Sequence, residues 1–309
     1  MNHPQIEKNL IVIAGPTASG KTATAIQLAK YYDTVIVSAD SRQFYREMSI
    51  GTAKPTTEEL AAVKHYFINS HSITESFTVG DFERACLALL SDLFKQHNKV
   101  ILVGGSGLYI KAVCDGFDAL PIANAAIRNR LNSELTAHGI TALQEKLKVA
   151  DPIYYNLVDL NNPHRVIRAL EVFESTGKSF SSFHHASKAN RSFKIIKLGL
   201  NWPREILYDH INRRVDAMVQ QGLADEVKSL LPYRHLNALN TVGYTELFDY
   251  FDGKTDFETA IKLIKQNTRR FAKRQLTWFG KDKDIAWLDA DKINSKNNEI
   301  LLTHVLDNN

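Results

Sequence analysis

Leu10-Ile11-Val12-Ile13-Ala14-Gly15-Pro16-Thr17-Ala18-Ser19-Gly20-Lys21-Thr22 is the stretch that decides the fold. The apolar, β-branched run Leu10 to Ala14 reads as a buried strand, and Thr22 to Tyr31 carries good helix formers at helical spacing. Between them GPTASGKT satisfies G-x-x-x-x-G-K-[ST], placed after a strand and before a helix as its mechanism requires. Glycines let successive amides turn inward around phosphate oxygens, and the helix amino terminus adds its positive end. Lys21 then supplies a mobile charge, and the Thr22 hydroxyl is placed to hold Mg²⁺.

Outward from this loop, further strands are expected at Thr34 to Val37 and Val100 to Val103, separated by a helical stretch from Asp81 to His97. Strands alternating with helices predict an α/β fold, a P-loop doubly wound parallel sheet core. From Ala119 to Ser192 the strand signals fade into helix, turn, helix, with Asn162-Pro163 as cap and first-turn proline and Gly177 as a stop. Lys178 to Ser192 is rich in serine and basic residues, as expected of a mobile connection with His184 and His185 in solvent. One more strand, Lys194 to Gly199, precedes long helices. The expected layout is a core of residues 1–118 and 193–309 carrying a small helical insertion domain at 119–192.

At 309 residues, 44% hydrophobic and 23% charged, the chain reads as soluble rather than disordered or membrane-spanning, since its apolar runs fall far short of the roughly 20 residues a bilayer requires. The amino terminus lacks a signal-type apolar core, so a cytoplasmic location is expected. Two cysteines, Cys86 and Cys114, cannot build a disulfide framework or a four-cysteine zinc site and are expected as buried small hydrophobes. The net charge of +4 mildly favours a polyanionic partner.

Most chains with this loop use ATP or GTP and carry an aspartate ending a later hydrophobic strand. Here Val100 to Val103 runs into Gly104-Gly105-Ser106-Gly107, which weighs against a small-molecule kinase. The carboxylate instead follows Thr34 to Val37, so Asp40 is expected at the carboxyl edge of the sheet, either as a general base or as a loop or cap carboxylate. Arg214 sits at the margin of the stripe Leu207, Ile211, Val215 and Met218, facing inward or forming a surface ion pair.

Thr259 to Lys281 contains no acid, and its Lys262, Lys265, Arg269, Arg270 and Lys273 share a face opposite Ile261, Ile264, Thr268, Phe271 and Trp278. That face is a phosphate track or a solvated charged surface. Arg165 and Arg168 share another face, with Val166, Ile167, Leu170 and Phe173 as the buried side.

Taken together, GPTASGKT, SADSRQFY, IGTAKP, VGGSGLY, NPHRVIRALEV and KRQLTWF resemble the bacterial tRNA dimethylallyltransferases, also called tRNA isopentenyltransferases. That family moves the dimethylallyl group of dimethylallyl diphosphate to the exocyclic amine of the adenosine immediately 3′ of the anticodon. The resemblance implies that no ATP is hydrolysed, and that Gly15, Pro16, Thr17, Ala18, Ser19, Gly20, Lys21, Thr22 and Arg214 bind the diphosphate, with Mg²⁺ on Thr22. Asp40 would act as base beside Lys21 and Thr22. Contacts to tRNA would come from Asp40, Ser41, Arg42, Gln43, Ser106, Arg128, His164, Arg165, Val166, Ile167, Arg168, Lys273, Arg274 and Gln275. Ser106 stands where the family usually has threonine, and its alternative role is a capping serine in a glycine turn. Thr241 to Thr245 departs from versions with a basic residue after the tyrosine. A monomer is implied, and the rival readings are an adenylate isopentenyltransferase and, outside enzymes, a phosphate-sensing RNA-binding module.

Overall fold

The computed structural model describes residues 7–116, 121, 124–183 and 188–293. These fall into two compact units, one drawn from Met1–Asp115 and Asn190–Asn309, the other from Gly116–Ala189. Ala119, His184 and His185 lie outside the described residues.

In the larger unit, the elements up to the insertion are β1 (Asn9–Ala14), α1 (Lys21–Tyr31), β2 (Ile36–Ser38), α2 (Thr57–Ala62), β3 (His65–Tyr66), α3 (Val79–Leu93), β4 (Lys99–Val103) and α4 (Gly107–Asp115). Six strands, completed by β5 (Lys194–Asn201) and β6 (Ile285–Asp289) from beyond the insertion, form one sheet in the order β3-β2-β4-β1-β5-β6, every pair parallel. Pleating sends alternate residues to opposite faces. Leu10, Val12, Val100 and Leu102 therefore pack against Phe82, Cys86 and Leu90 of α3 and Val113 of α4. Ile11, Ile13, Ile36 and Ile101 pack against Ala25, Ile26, Leu28 and Ala29 of α1. A sheet covered on both faces needs nearly continuous apolar strands, which is why Leu10 to Ala14 and Val100 to Val103 were legible. Cys86 and Cys114 are free and buried, with burial pushing the Cys114 thiol up to about 12.

The strands expected from sequence appear within two residues of their observed bounds, and α3 starts at Val79 because Thr78 and Asp81 form a capping box. Two strands were not expected. β3 has only two residues, and β6 is an edge strand with exposed Ala286 and Trp287, so neither shows a readable period.

After the insertion come β5 (Lys194–Asn201), α8 (Arg204–Gln220), α9 (Leu223–Ser229), α10 (Tyr244–Phe251), α11 (Phe257–Phe279), β6 (Ile285–Asp289) and α12 (Ala290–Ile293). Val215, Leu223, Val227, Leu247, Phe248 and Ile264 give α8 to α11 a separate core with Tyr45 and Met48. Among the described residues no helix is long and apolar enough to cross a membrane.

The smaller unit contains α5 (Ala125–Ala150, broken at Gly139 with φ 73°), α6 (Pro152–Leu157) and α7 (Pro163–Thr176). Asn162 caps α7 and Gly177 ends it in the left-handed conformation, as expected. The first part of the expected mobile connection is instead ordered: Phe180 is buried and Asp151 accepts from both Ser181 N–H and Ser181 Oγ at 2.7 Å.

Leu131, Leu143, Leu147, Val166, Ile167 and Leu170 form the core of this unit. Val166 and Ile167 thus have no side-chain surface to offer RNA, which corrects their expected contact role, and Phe173 is only half-buried. Nor do Arg165 and Arg168 act as a pair. Arg165 is exposed, whereas Arg168 turns inward, its Nη1 lying 3.1 Å from Glu171 Oε2 and its Nη2 donating to Pro121 O at 2.7 Å. Arg128 donates to the same Glu171 oxygen at 2.6 Å.

Glu171 is fully buried, and its Oε1 has no partner among the described residues. Removing one partner of a buried charge leaves the other uncompensated. Arg168→Ala is therefore expected to destabilise the protein by about 3 kcal/mol, the low end of that range because Arg128 remains. Denaturant unfolding checks this, and a change below about 0.5 kcal/mol would remove the structural role.

Candidate active site

The phosphate loop leaves β1 at Gly15, where φ is +144° and a Cβ would stand 3.0 Å from Leu200 O, so glycine is required twice over. The loop reaches α1 through Gly20 in the left-handed conformation, which frees the first amides of the helix from side-chain caps. Trp202 Nε1 donates to Ser19 O at 3.0 Å and fixes the outer turn, while Ser19 Oγ is buried with no partner among the described residues. Lys21 Nζ donates back to Pro16 O at 2.5 Å. Burial, then the neighbouring Arg214 guanidinium, pulls the Lys21 pKa down to about 7, with Asp40 acting in the opposite sense.

Asp40 lies just beyond β2 at the carboxyl edge of the sheet, as expected, and its Oδ1 accepts from Arg42 N–H at 3.0 Å. Ser41 N–H donates to Ser106 Oγ at 3.0 Å, and the Ser106 hydroxyl donates to Ser41 Oγ at 3.1 Å, so these two loops are tied together. The glycines after β4 have a packing reason. A Cβ on Gly104 would lie 2.4 Å from Ala39 O, on Gly105 2.3 Å from Gln275 Nε2, and on Gly107 2.2 Å from the Trp278 ring. An aspartate could not follow β4 here, because the β2 edge and α11 occupy its space.

Two adjoining cavities open at this edge. The smaller, about 80 Å³, is lined by Thr17, Lys21, Thr22, Asp40, Gln43, His65 and Arg214. The larger, about 670 Å³, is lined by Asp40, Ser41, Arg42, Ser106, Arg214 and Arg274, with Thr241, Glu246, Phe271 and Trp278 among its other walls. Asp40 and Arg214 line both. Arg214 forms no ion pair among the described residues, and burial lowers its pKa while Asp40 opposes the shift. Gly15, Pro16, Ala18, Ser19 and Gly20 shape the loop but line neither cavity, and Lys273 is exposed outside both. Arg128 and His164 to Arg168 belong to the smaller unit.

Several expected contacts are redirected. Gln43 donates to Thr52 O at 3.2 Å and Ala53 O at 3.1 Å and accepts from Ser38 Oγ at 3.3 Å, so its amide is committed inside the protein. Gln275 is buried and bonded to backbone at both ends of its amide, while it still lines both cavities. The basic face of α11 is largely engaged: Lys262 pairs with Glu258, Lys265 with Asp216, Arg269 with Asn212 and Arg270 with Asn267. The two carboxylates among these partners, Glu258 just before the counted window and Asp216 on α8, are not found by a count of acids from Thr259 to Lys281. Phe271 and Trp278, expected in the core, are 39% exposed and line the larger cavity, with the Arg274 guanidinium 5.7 Å from the Phe271 ring.

Sequence reading missed Glu226. Its carboxylate accepts from the consecutive amides of Ser49, Ile50 and Gly51 at 2.7 to 3.0 Å and from Tyr244 OH at 2.7 Å, fixing the turn whose Gly51 and Thr52 line the larger cavity. Glu246 was missed too, and it accepts from Gly243 N–H at 2.8 Å and Asn267 Nδ2 at 2.7 Å. No local pattern marks either residue, since the partners of Glu226 on the loop lie about 175 positions away.

For Mg²⁺, the smaller cavity supplies the Thr22 hydroxyl. That donor fits an ion that keeps several waters and takes its other ligands from a bound phosphate. The described residues contain no cluster of three or more His, Cys, Asp or Glu able to form an all-protein cage.

A glycine loop joining the first strand and first helix of a parallel sheet, with a lysine at the cavity floor, defines a P-loop α/β protein. The family model described as IPP transferase matches residues 43–282, a span beginning after the phosphate loop and Asp40. The chain is 56% identical over 288 residues to a tRNA dimethylallyltransferase of Christiangramia forsetii, covering 93% of this chain and 95% of that one. Among solved structures, a tRNA isopentenylpyrophosphate transferase from Bacillus halodurans is similar with a TM-score of 0.70 at 38% identity, over 97% of this chain and 98% of that one. A eukaryotic dimethylallyltransferase described as acting on tRNA is similar with a TM-score of 0.79 at 26% identity, over 96% of this chain and 78% of that one. The chain belongs to the IPP transferase family.

Proposed function

We propose that this protein transfers the dimethylallyl group from dimethylallyl diphosphate to the exocyclic amine of the adenosine immediately 3′ of a tRNA anticodon, releasing diphosphate. The observation that carries the reading is the shared wall: Asp40 and Arg214 line both the small cavity containing Lys21 and Thr22 and the large one beside it. A diphosphate in the first and an adenine in the second would meet at Asp40.

The chemistry fits that division. The adenine amine is a poor nucleophile because its lone pair is delocalised into the ring, so Asp40 accepts its proton as the N–C bond forms. The allylic C–O bond breaks on the other side, and its electron pair leaves with the diphosphate. Lys21, Arg214 and the loop amides stabilise that growing charge more in the transition state than in the ground state. Mg²⁺, held by the Thr22 hydroxyl and the diphosphate, supplies further charge neutralisation when bound. The base must leave its stack to enter the large cavity, at a cost of a few kcal/mol offset by pocket contacts. Ser41, Arg42, Ser106 and Arg274 line that cavity, and Lys273, Arg165 and His164 are exposed, which supports contacts from them to RNA. Within the smaller unit, Arg128 and Arg168 share the single carboxylate of Glu171 and so would leave one net positive charge for RNA.

The test is mass spectrometry of an unmodified anticodon stem-loop incubated with the protein, Mg²⁺ and dimethylallyl diphosphate, with free AMP alongside. A dimethylallyl mass on the adenosine is expected. Transfer to AMP alone would make the protein an adenylate isopentenyltransferase, and consumption of ATP without transfer would make it a kinase.

A further inference from the structure

Gln275 directly follows exposed Lys273 and Arg274 on α11, yet it is 6% exposed. Its Oε1 accepts from Thr17 N–H at 2.8 Å, and its Nε2 donates to Gly105 O at 2.8 Å. One side chain thereby bridges the phosphate loop and the glycine loop after β4, which lie 258 and 170 positions away in sequence. The fit is close, since a Cβ on Gly105 would stand 2.3 Å from Nε2. With Thr17 N–H committed to Gln275, that amide is withdrawn from the set free to face a phosphate, and the entrance of the loop is held before any ligand arrives.

From this geometry we infer that Gln275 is a positioning residue for the diphosphate site: α11, through this one amide, sets the shape of the phosphate loop and hangs the Ser106-bearing loop from the same point. The inference rests on the donor reading proposed above, in that the ligand of the loop is a diphosphate. Gln275 acts through backbone and reaches no reacting atom. A loop held in its binding conformation avoids the ordering cost that a free loop meets when it closes on an anion. An asparagine, one methylene shorter, could not span both backbone groups.

The test is binding of inorganic diphosphate by calorimetry, with steady-state kinetics, on the full chain carrying Gln275→Met, which keeps the side-chain length without the hydrogen bonds. Diphosphate affinity is expected to fall by about tenfold, since the loop must then order on binding. The donor KM should rise by a similar factor, with the RNA KM and kcat within about threefold of wild type. Gly105→Ala pushes a methyl into Nε2 and is expected to give the same split with Gln275 still present. Unchanged diphosphate affinity in the folded Gln275→Met protein, or a KM rise confined to RNA, would overturn the inference and return Gln275 to the RNA contacts. Failure of the wild-type protein to bind diphosphate would overturn the donor reading and this inference with it, whereas unchanged variants beside a binding wild type overturn the inference alone.

Discussion

Asp40→Asn is expected to slow dimethylallyl transfer by about 10² to 10⁴-fold, the range general-base assistance contributes. The substitution is close to isosteric, and the amide oxygen still accepts from Arg42 N–H, so the turn after β2 keeps its shape. What disappears is the ability to take a proton. The effect belongs in kcat under saturating donor and RNA, because the carboxylate matters as the N–C bond forms rather than when the substrates dock. Asp40 also favours the charged form of Lys21, so its loss lowers the Lys21 pKa further, and diphosphate affinities of the two proteins are compared across a pH series rather than at one pH. Single-turnover kinetics is the measurement. A rate within about tenfold of wild type would deny Asp40 the role of base.

Lys21→Met is expected to weaken diphosphate binding by about 10²-fold and to slow transfer further, because a charge-assisted contact is lost at the place where charge develops. Lys21 also predicts a pH dependence whose sign follows from its lowered pKa. In the free protein the lysine is charged below about 7 and neutral above it. A bound diphosphate favours the charged form, so binding above pH 7 must take up a proton, and affinity falls by about tenfold per pH unit as pH rises. Calorimetry at pH 8 in two buffers of different ionisation enthalpy should register uptake of about one proton beyond that of Lys21→Met, whose own value subtracts the titration of the ligand. Equal uptake by the two proteins would show that Lys21 is already charged in the free site.

The phosphate loop was legible because its chemistry is local: strand, glycines, lysine and helix lie within a few residues, and each constrains its neighbours. Asp40 was legible for a related reason, as the first carboxylate past a strand whose end faces the ligand edge. Arg214 was suggested by its place on the margin of an apolar stripe, although the cavities it lines are formed by residues from six other parts of the chain.

Other residues were misplaced because periodicity reports which face is apolar, not what that face touches. Phe271 and Trp278 share the apolar side of α11 and yet line a cavity. Arg168 looked solvent-facing from its spacing to Arg165, but the buried carboxylate of Glu171, one turn away, draws it inward.

The sequence by itself determined the parallel α/β core, the phosphate loop and the helical section, because strand pattern, turn glycines and helix caps are set by near neighbours. Only the tertiary structure decided which polar groups face the cavities and which are bonded to backbone. Gln43, Gln275 and Glu226 are each claimed by partners that folding brings into reach, and a buried polar group bonds to whatever donor or acceptor lies within about 3 Å of it.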